Sequence, residues 1–263
     1  MHNAIEWLDD ESDLDDLVLF LDFDGTLAPI VERPGDAQPL DGVTELVEAI
    51  SERIPVAVIS GRGLEDVAAR LGADGVVYAG SHGMEIRDRQ GMRHESEKLK
   101  SLLPEIDALE TGLREQFSKH SEIEVERKRF GVAVHFRRAP KLREDVEQIL
   151  EHLVETHHHF TVGTGKMVRE LQPNLGLNKG TALRFIWNVV DEEQRRRPIF
   201  IGDDVTDEDA FEMIEDRGIG ILVGEHDRPT AARLRLDDPG EVRAFLRRLA
   251  KRLGVDVSTL YYQ

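Results

Sequence analysis

Short apolar runs alternate with amphipathic stretches along most of this chain. Leu17-Val18-Leu19-Phe20-Leu21 is continuous, as expected of a strand buried on both faces. A helical pattern over residues 41–53 leads to the apolar run Val56–Ile59. A second helix starts near Gly63, and residues 76–78 read as a third strand. This βαβαβ order predicts a parallel sheet with helices on its faces. The pattern returns late, with a helix over Lys179–Val190 and strands over 198–201 and 220–223. The last helix, Pro239–Arg252, places Val242, Phe245, Leu246 and Leu249 at i, i+3, i+4 and i+7.

The middle of the chain differs. Residues 98–120 read as one long amphipathic helix, and 141–157 as another. Residues 122–126 and 130–136 alternate like half-buried strands, and 160–171 read as two more. Antiparallel pairing inside a parallel α/β fold predicts two domains. A core comprises residues 1–83 and 174–263, and an inserted α+β domain spans 84–173, with junctions near Gly83–Met84 and Pro173–Asn174. The run His157-His158-His159 ends a helix. Adjacent helical residues do not share a face, so a solvated helix end is favoured over a metal site.

Composition narrows the possibilities. The chain has 263 residues, 40% hydrophobic and 33% charged, enough for a sizeable core. Cysteine is absent, which removes disulfides, thiolate metal sites and a cysteine nucleophile and suits a reducing, cytoplasmic setting. Residues 1–16 are acidic and lack a basic-then-apolar leader pattern, and no apolar stretch is long enough to span a bilayer. Asp and Glu number 52 against 34 Lys and Arg, a formal charge of -18. Nucleic acid is therefore not an expected partner, and any phosphate site must be locally basic or carry a metal.

Four places carry candidate chemistry. Asp22-Phe23-Asp24-Gly25-Thr26-Leu27 follows the first strand, so Asp22 and Asp24 stand at its C-terminal end, where open α/β sheets bind ligands. The alternative is an Asp-Gly turn closing the strand. Ser60 ends the second strand and opens Ser60-Gly61-Arg62, as a phosphate contact or as a helix N-cap. Lys179 begins a helix, where a lysine is unfavourable unless an anion is present; a surface lysine is the alternative. Gly202-Asp203-Asp204-Val205-Thr206-Asp207-Glu208-Asp209 follows a late strand. So many acids together are costly without a cation, and oxygen ligands alone favour a hard one, magnesium first. Asp203 and Asp207 are the better ligand candidates; others of these acids cap the helix that starts near Thr206. All four places lie at one edge of one parallel sheet.

The order of these motifs resembles the haloacid-dehalogenase superfamily of phosphatases. A wider set resembles its trehalose-6-phosphate phosphatase family: Asp22 to Pro34, Val58 to Arg62, Gly80-Ser81-His82-Gly83 with Glu85, Glu126-Arg127-Lys128 with Ala133 to Arg137, Gly165-Lys166 with Glu170, Lys179-Gly180, Gly202 to Asp209, Arg228-Pro229 and Leu236 to Pro239. The resemblance implies a Rossmann-like parallel-sheet core with an inserted cap, and a magnesium-dependent phosphatase acting on trehalose 6-phosphate. Asp22 would be the nucleophile and Asp24 the general acid–base. Ser60 and Lys179 would hold the phosphoryl oxygens. Asp22, the Asp24 carbonyl, Asp203 and Asp207 would hold Mg2+. Arg62, His82, Glu126, Lys128, His135, Arg137, Lys166 and Glu170 would contact the sugar phosphate. A trehalose-6-phosphate synthase is an implied partner; a monomer is favoured. One departure stands out. The family pattern continues from Glu170 to Arg-Pro, whereas this chain has Gln172-Pro173. That loses a bidentate donor and keeps open a related sugar phosphate as substrate. A non-catalytic sugar-phosphate-binding domain is the other alternative.

Overall fold

The computed structural model describes residues 1–165 and 167–257. In chain order, β1 (His2–Asn3) and α1 (Ala4–Asp10) precede β2 (Leu17–Leu21), α2 (Val43–Ser51), β3 (Val56–Ile59), α3 (Leu64–Leu71) and β4 (Val77–Gly80). Next come β5 (Glu85–Arg87) and β6 (Arg93–His94), then α4 (Glu97–Ser101), α5 (Leu103–Gln116), β7 (Glu124–Lys128), β8 (Gly131–His135), α6 (Arg143–Thr156), β9 (Phe160–Gly165) and β10 (Val168–Pro173). The remainder is α7 (Lys179–Val190), β11 (Arg197–Gly202), α8 (Glu208–Ile214), β12 (Ile219–Val223), β13 (Leu234–Leu236) and α9 (Pro239–Arg252).

The chain divides into two units. The first holds Met1–His94 and the described residues from Leu177 onward; the second holds Glu95–Gly176. The first unit is built on a nine-stranded sheet among the described residues, ordered β1-β13-β12-β11-β2-β3-β4-β5-β6. Pairing is parallel from β1 to β4 and antiparallel at β5 and β6. The run Leu17–Leu21 is apolar throughout because β2 is central and buried on both faces. Leu17, Leu19 and Leu21 pack with Leu8, Leu46, Val67 and Phe245, from α1, α2, α3 and α9. Val18 and Phe20 pack on the other face with Leu183, Ile186 and Phe211, from α7 and α8. From β2 the chain winds towards β3 and β4, whereas the later strands wind the other way from β11. The strand order therefore reverses between β2 and β11, a topological switch point.

Among the described residues the second unit holds a four-stranded antiparallel sheet, β7-β8-β10-β9. Val125, Val132, Val134 and Leu171 alternate onto one face and are buried with Ile106, Leu109 and Leu113 of α5 and Val146 and Leu150 of α6.

Several elements differ from the sequence reading. The single helix expected over 98–120 is two, because Pro104 has no N–H to continue the first and takes an early position in the second. The helix expected from 41 begins at Val43, after Gly42 turns left-handed at φ 80°. Residues 84–94, read as the start of the insert, extend the core sheet as β5 and β6, with Ile86 buried in the core. The first junction therefore lies at His94–Glu95 rather than Gly83–Met84. The His157–His159 run ends α6. His157 Nδ1 is 2.6 Å from Glu105 Oε1, and His158 and His159 are exposed. Among the described residues no helix is long and apolar enough to cross a membrane.

Candidate active site

Asp22 is the first residue beyond β2. Its N–H donates to Ile201 O of the adjacent β11 at 2.9 Å, so the two strand ends run level. Asp203 is the first residue beyond β11, and one carboxylate oxygen from each of Asp22, Asp203 and Asp207 lies within 4.8 Å of the others. Gly25 makes this approach possible. Its φ is +80°, and a Cβ there would collide with the Asp203 carboxylate.

Lys179 is not a surface lysine. It is 2% exposed, and its Nζ lies 2.9 Å from Asp22 Oδ1 and 2.6 Å from Asp207 Oδ1. A capping box places it: Asn178 accepts from the Thr181 N–H, and Thr181 Oγ1 accepts from the Asn178 N–H. Asp207 is fully buried, and its Oδ2 accepts from the Asp204 N–H at 2.8 Å. Asp204 turns its own carboxylate to the Val205 N–H and stands outside the cluster.

Two buried carboxylates and the half-buried Asp203 thus cluster beside one ammonium, and a divalent cation would bring the group to neutrality. Burial, with Asp207 adding like charge, pushes the Asp203 carboxyl up to about 7. Burial also holds the Asp22 carboxyl well above its ordinary range against the pull of Lys179, while its two carboxylate partners hold the Lys179 ammonium above its ordinary range. Asp203 Oδ1 is buried and has no hydrogen-bond partner. An all-oxygen donor set with an orphaned buried carboxylate oxygen fits a hard divalent ion.

The sign of the linkage follows. Raised carboxyl pKa values mean that the folded chain holds protons the unfolded chain has released. Without a cation, this contribution to stability is present below the ordinary carboxylate range and is lost as the pH rises towards about 7. A cation must displace those protons, so the rise in Tm given by Mg2+ over chelator is expected to be larger near pH 8 than near pH 5.5. An equal rise at both pH values would contradict this electrostatic picture.

Asp24 is held differently. Arg62 donates from Nε to Asp24 Oδ2 and from Nη2 to Oδ1, both at 2.6 Å, and also reaches Asp66 and the Pro34 carbonyl. Arg62 is therefore paired with Asp24, a pairing that no spacing along the chain signals. Ser60 is buried, and its Oγ accepts from the Arg62 N–H at 3.1 Å. It does not cap α3, whose N-cap is Gly63. Ser81 and His82 both have positive φ, at 50° and 56°, beside this loop. The Ser81 N–H donates to Arg62 O and the His82 N–H to Ser60 O, so the strained turn is tied to the Ser60–Arg62 loop.

In the second unit, Glu126, Ala133, Glu170 and Gly163 are in register across the sheet, on the face opposite the helices. Lys128 donates to Glu170 Oε2 at 2.5 Å, and His135 Nε2 is 2.7 Å from Glu126 Oε2. Gln172 shares the face: its Nε2 lies 3.3 Å from where a Cβ on Gly163 would stand. Arg137 follows β8 in an exposed turn. Lys166 lies outside the described residues.

A parallel sheet with carboxylates at its switch point and a buried lysine beside them defines the haloacid-dehalogenase-like class of fold. A solved haloacid dehalogenase-like hydrolase from Bacteroides thetaiotaomicron shares this fold, with a TM-score of 0.61 at 18% identity over 89% of this chain and 99% of that one. The trehalose-phosphatase family model matches residues 20–240, and the chain belongs to that family. It is 39% identical over 240 residues to the trehalose-phosphate phosphatase of Mycobacterium tuberculosis (strain ATCC 25618 / H37Rv), covering 89% of this chain and 61% of the relative. The chain thus spans about three fifths of the length of that curated relative. A solved trehalose-6-phosphate phosphatase related protein is similar at TM-score 0.77 and 27% identity, over 89% of this chain and 97% of that one.

Proposed function

We propose that this chain hydrolyses trehalose 6-phosphate to trehalose and phosphate through an aspartyl-phosphate on Asp22. The observation that carries the reading is the buried Asp22–Lys179–Asp207 group with Asp203 beside it, in a member of the trehalose-phosphatase family. An Asp22 oxygen attacks phosphorus and the bond from phosphorus to the sugar oxygen breaks, with Asp24 giving that oxygen its proton. Water then attacks the phosphorus of the aspartyl-phosphate, Asp24 takes a proton from it, and the Asp22 carboxylate leaves. Both Asp24 oxygens lie on Arg62 in this structure, so proton transfer needs one of them to turn from the guanidinium. Lys179 and the Ser60 hydroxyl offset the charge of the phosphoryl oxygens as the nucleophile approaches. Mg2+, held by Asp22, Asp203 and the Asp24 carbonyl with Asp207 alongside, would neutralise charge between nucleophile and phosphoryl group.

The polar face of the second unit would read the sugar. Glu126, Lys128, His135 and Glu170 stand on it, and Arg137, Lys166 and, in the core, His82 are further candidate contacts. Such a phosphatase acts in the cytoplasm and consumes the product of a synthase that forms trehalose 6-phosphate. Gln172 on the same face supports a second reading, in which another glycosyl phosphate is preferred. Phosphate release from a panel of sugar phosphates, with Mg2+ and with chelator, separates the two. Trehalose 6-phosphate is expected to exceed glucose 6-phosphate in kcat/KM by about tenfold or more, with no turnover in chelator. A different disaccharide phosphate at the head of the panel would favour the second reading.

A further inference from the structure

Asp203 is oriented by its backbone. Among the described residues no hydrogen bond from another side chain reaches its carboxylate: Oδ1 is buried without a partner, and Oδ2 faces the space left open by Gly25. Its aim is therefore set by the loop between β11 and α8. Two long side chains reach that loop from elsewhere among the described residues: Lys179 bonds the Asp207 carboxylate, and Arg228 bonds the main chain at Asp203. Arg228, in the segment between β12 and β13, donates from Nη2 to the Asp203 main-chain carbonyl at 3.1 Å.

Arg228 is itself framed by α8. Its Nε and Glu208 Oε1 lie 4.0 Å apart; both atoms are buried and neither has a hydrogen-bond partner, so each offsets the other's charge across the gap. Glu208 Oε2 accepts from the Ala231 N–H at 3.0 Å, which ties the same segment to the start of α8. The guanidinium thus stands between two fixed points, one on α8 and the other on the Asp203 peptide.

We propose that Arg228 is a positioning residue for Asp203, holding its peptide so that the carboxylate points into the Asp22–Asp203–Asp207 cluster. The proposal rests on that cluster being a divalent-cation site. It runs against simple electrostatics, which makes it testable. A guanidinium close to a cation site repels the cation, so deleting its charge should tighten binding. Deleting a strut that aims a ligand should weaken it. Lysine keeps the charge but not the planar fork that reaches carbonyl and carboxylate together.

The test is calorimetric titration of the chain with Mg2+ alone, without substrate, for wild type, Arg228→Lys and Arg228→Met. Both variants are expected to bind Mg2+ about tenfold more weakly, while melting in chelator close to wild type. Should Arg228→Met fail to fold, Arg228→Lys decides the question. Affinity that is unchanged in Arg228→Lys, or tighter in Arg228→Met, would mean that only the charge of Arg228 is felt and would overturn the proposal. Absence of Mg2+ binding by wild type would instead remove the cation site itself, and the role of Arg228 with it.

Discussion

Asp22→Asn is expected to lower phosphate release by on the order of 10⁴-fold or more while leaving the fold intact. The amide is nearly the size of the carboxylate but is a far poorer nucleophile. It also removes one negative charge from a cluster in which three carboxylates, two of them buried, lie beside one ammonium. Lys179 keeps its contact to Asp207 at 2.6 Å. The melting temperature in chelator should therefore be equal to wild type or higher, because burial already disfavours the ionised form of Asp22. Loss of activity together with a collapse in stability would point to a structural role. Turnover within tenfold of wild type would remove Asp22 as the nucleophile.

Lys179→Met should damage both fold and chemistry. Lys179 and Asp207 are almost wholly shielded from water, and the ammonium bridges Asp207 and Asp22. Methionine fills a similar volume but leaves both carboxylates buried without their cation. Removing one partner of a buried ion pair costs about 3–5 kcal/mol, because the remaining charge has no compensation. Saturating Mg2+ should restore part of that stability by supplying positive charge to the same acids. Phosphate release, assayed with Mg2+ present, should still fall by about 10²–10³-fold, since a preorganised donor to the phosphoryl oxygens is gone. Melting curves in chelator and in Mg2+, with a phosphate-release assay, check both parts. A variant as stable in chelator as wild type would show that the buried charges are balanced by something else.

Strong local periodicity made part of this structure legible in the sequence. The continuous apolar run Leu17–Leu21 announced a central strand, and the acids after it had to lie at the ligand-binding edge once the sheet was parallel. Lys179 and the acids from Asp203 to Asp207 follow from the same edge. Shorter elements left no period to read. β5, β6 and β13 are two or three residues long, and α1 hides a buried Ala4 and Leu8 among acidic residues. Pro104 marks the break between α4 and α5 in the chain itself, because a proline carries no N–H to continue a helix. The partners of the long arginines could not be read at all. Arg62 reaches Asp24 and Arg228 reaches the Asp203 peptide across tertiary contacts that no spacing along the chain encodes. Asp22 and Asp203 were legible because strand ends placed them; Arg62 and Arg228, which reach this site from loops, were not.

The central claim is that Asp22 receives the phosphoryl group of trehalose 6-phosphate. Its most direct measurement is rapid acid quench of wild type mixed with trehalose 6-phosphate and Mg2+, followed by peptide mass mapping. The account predicts one added phosphoryl group on the peptide containing Asp22, labile to base as an acyl phosphate is, and none in Asp22→Asn or in chelator. Turnover without any phosphorylated peptide, or with the phosphoryl group on another residue, would contradict it.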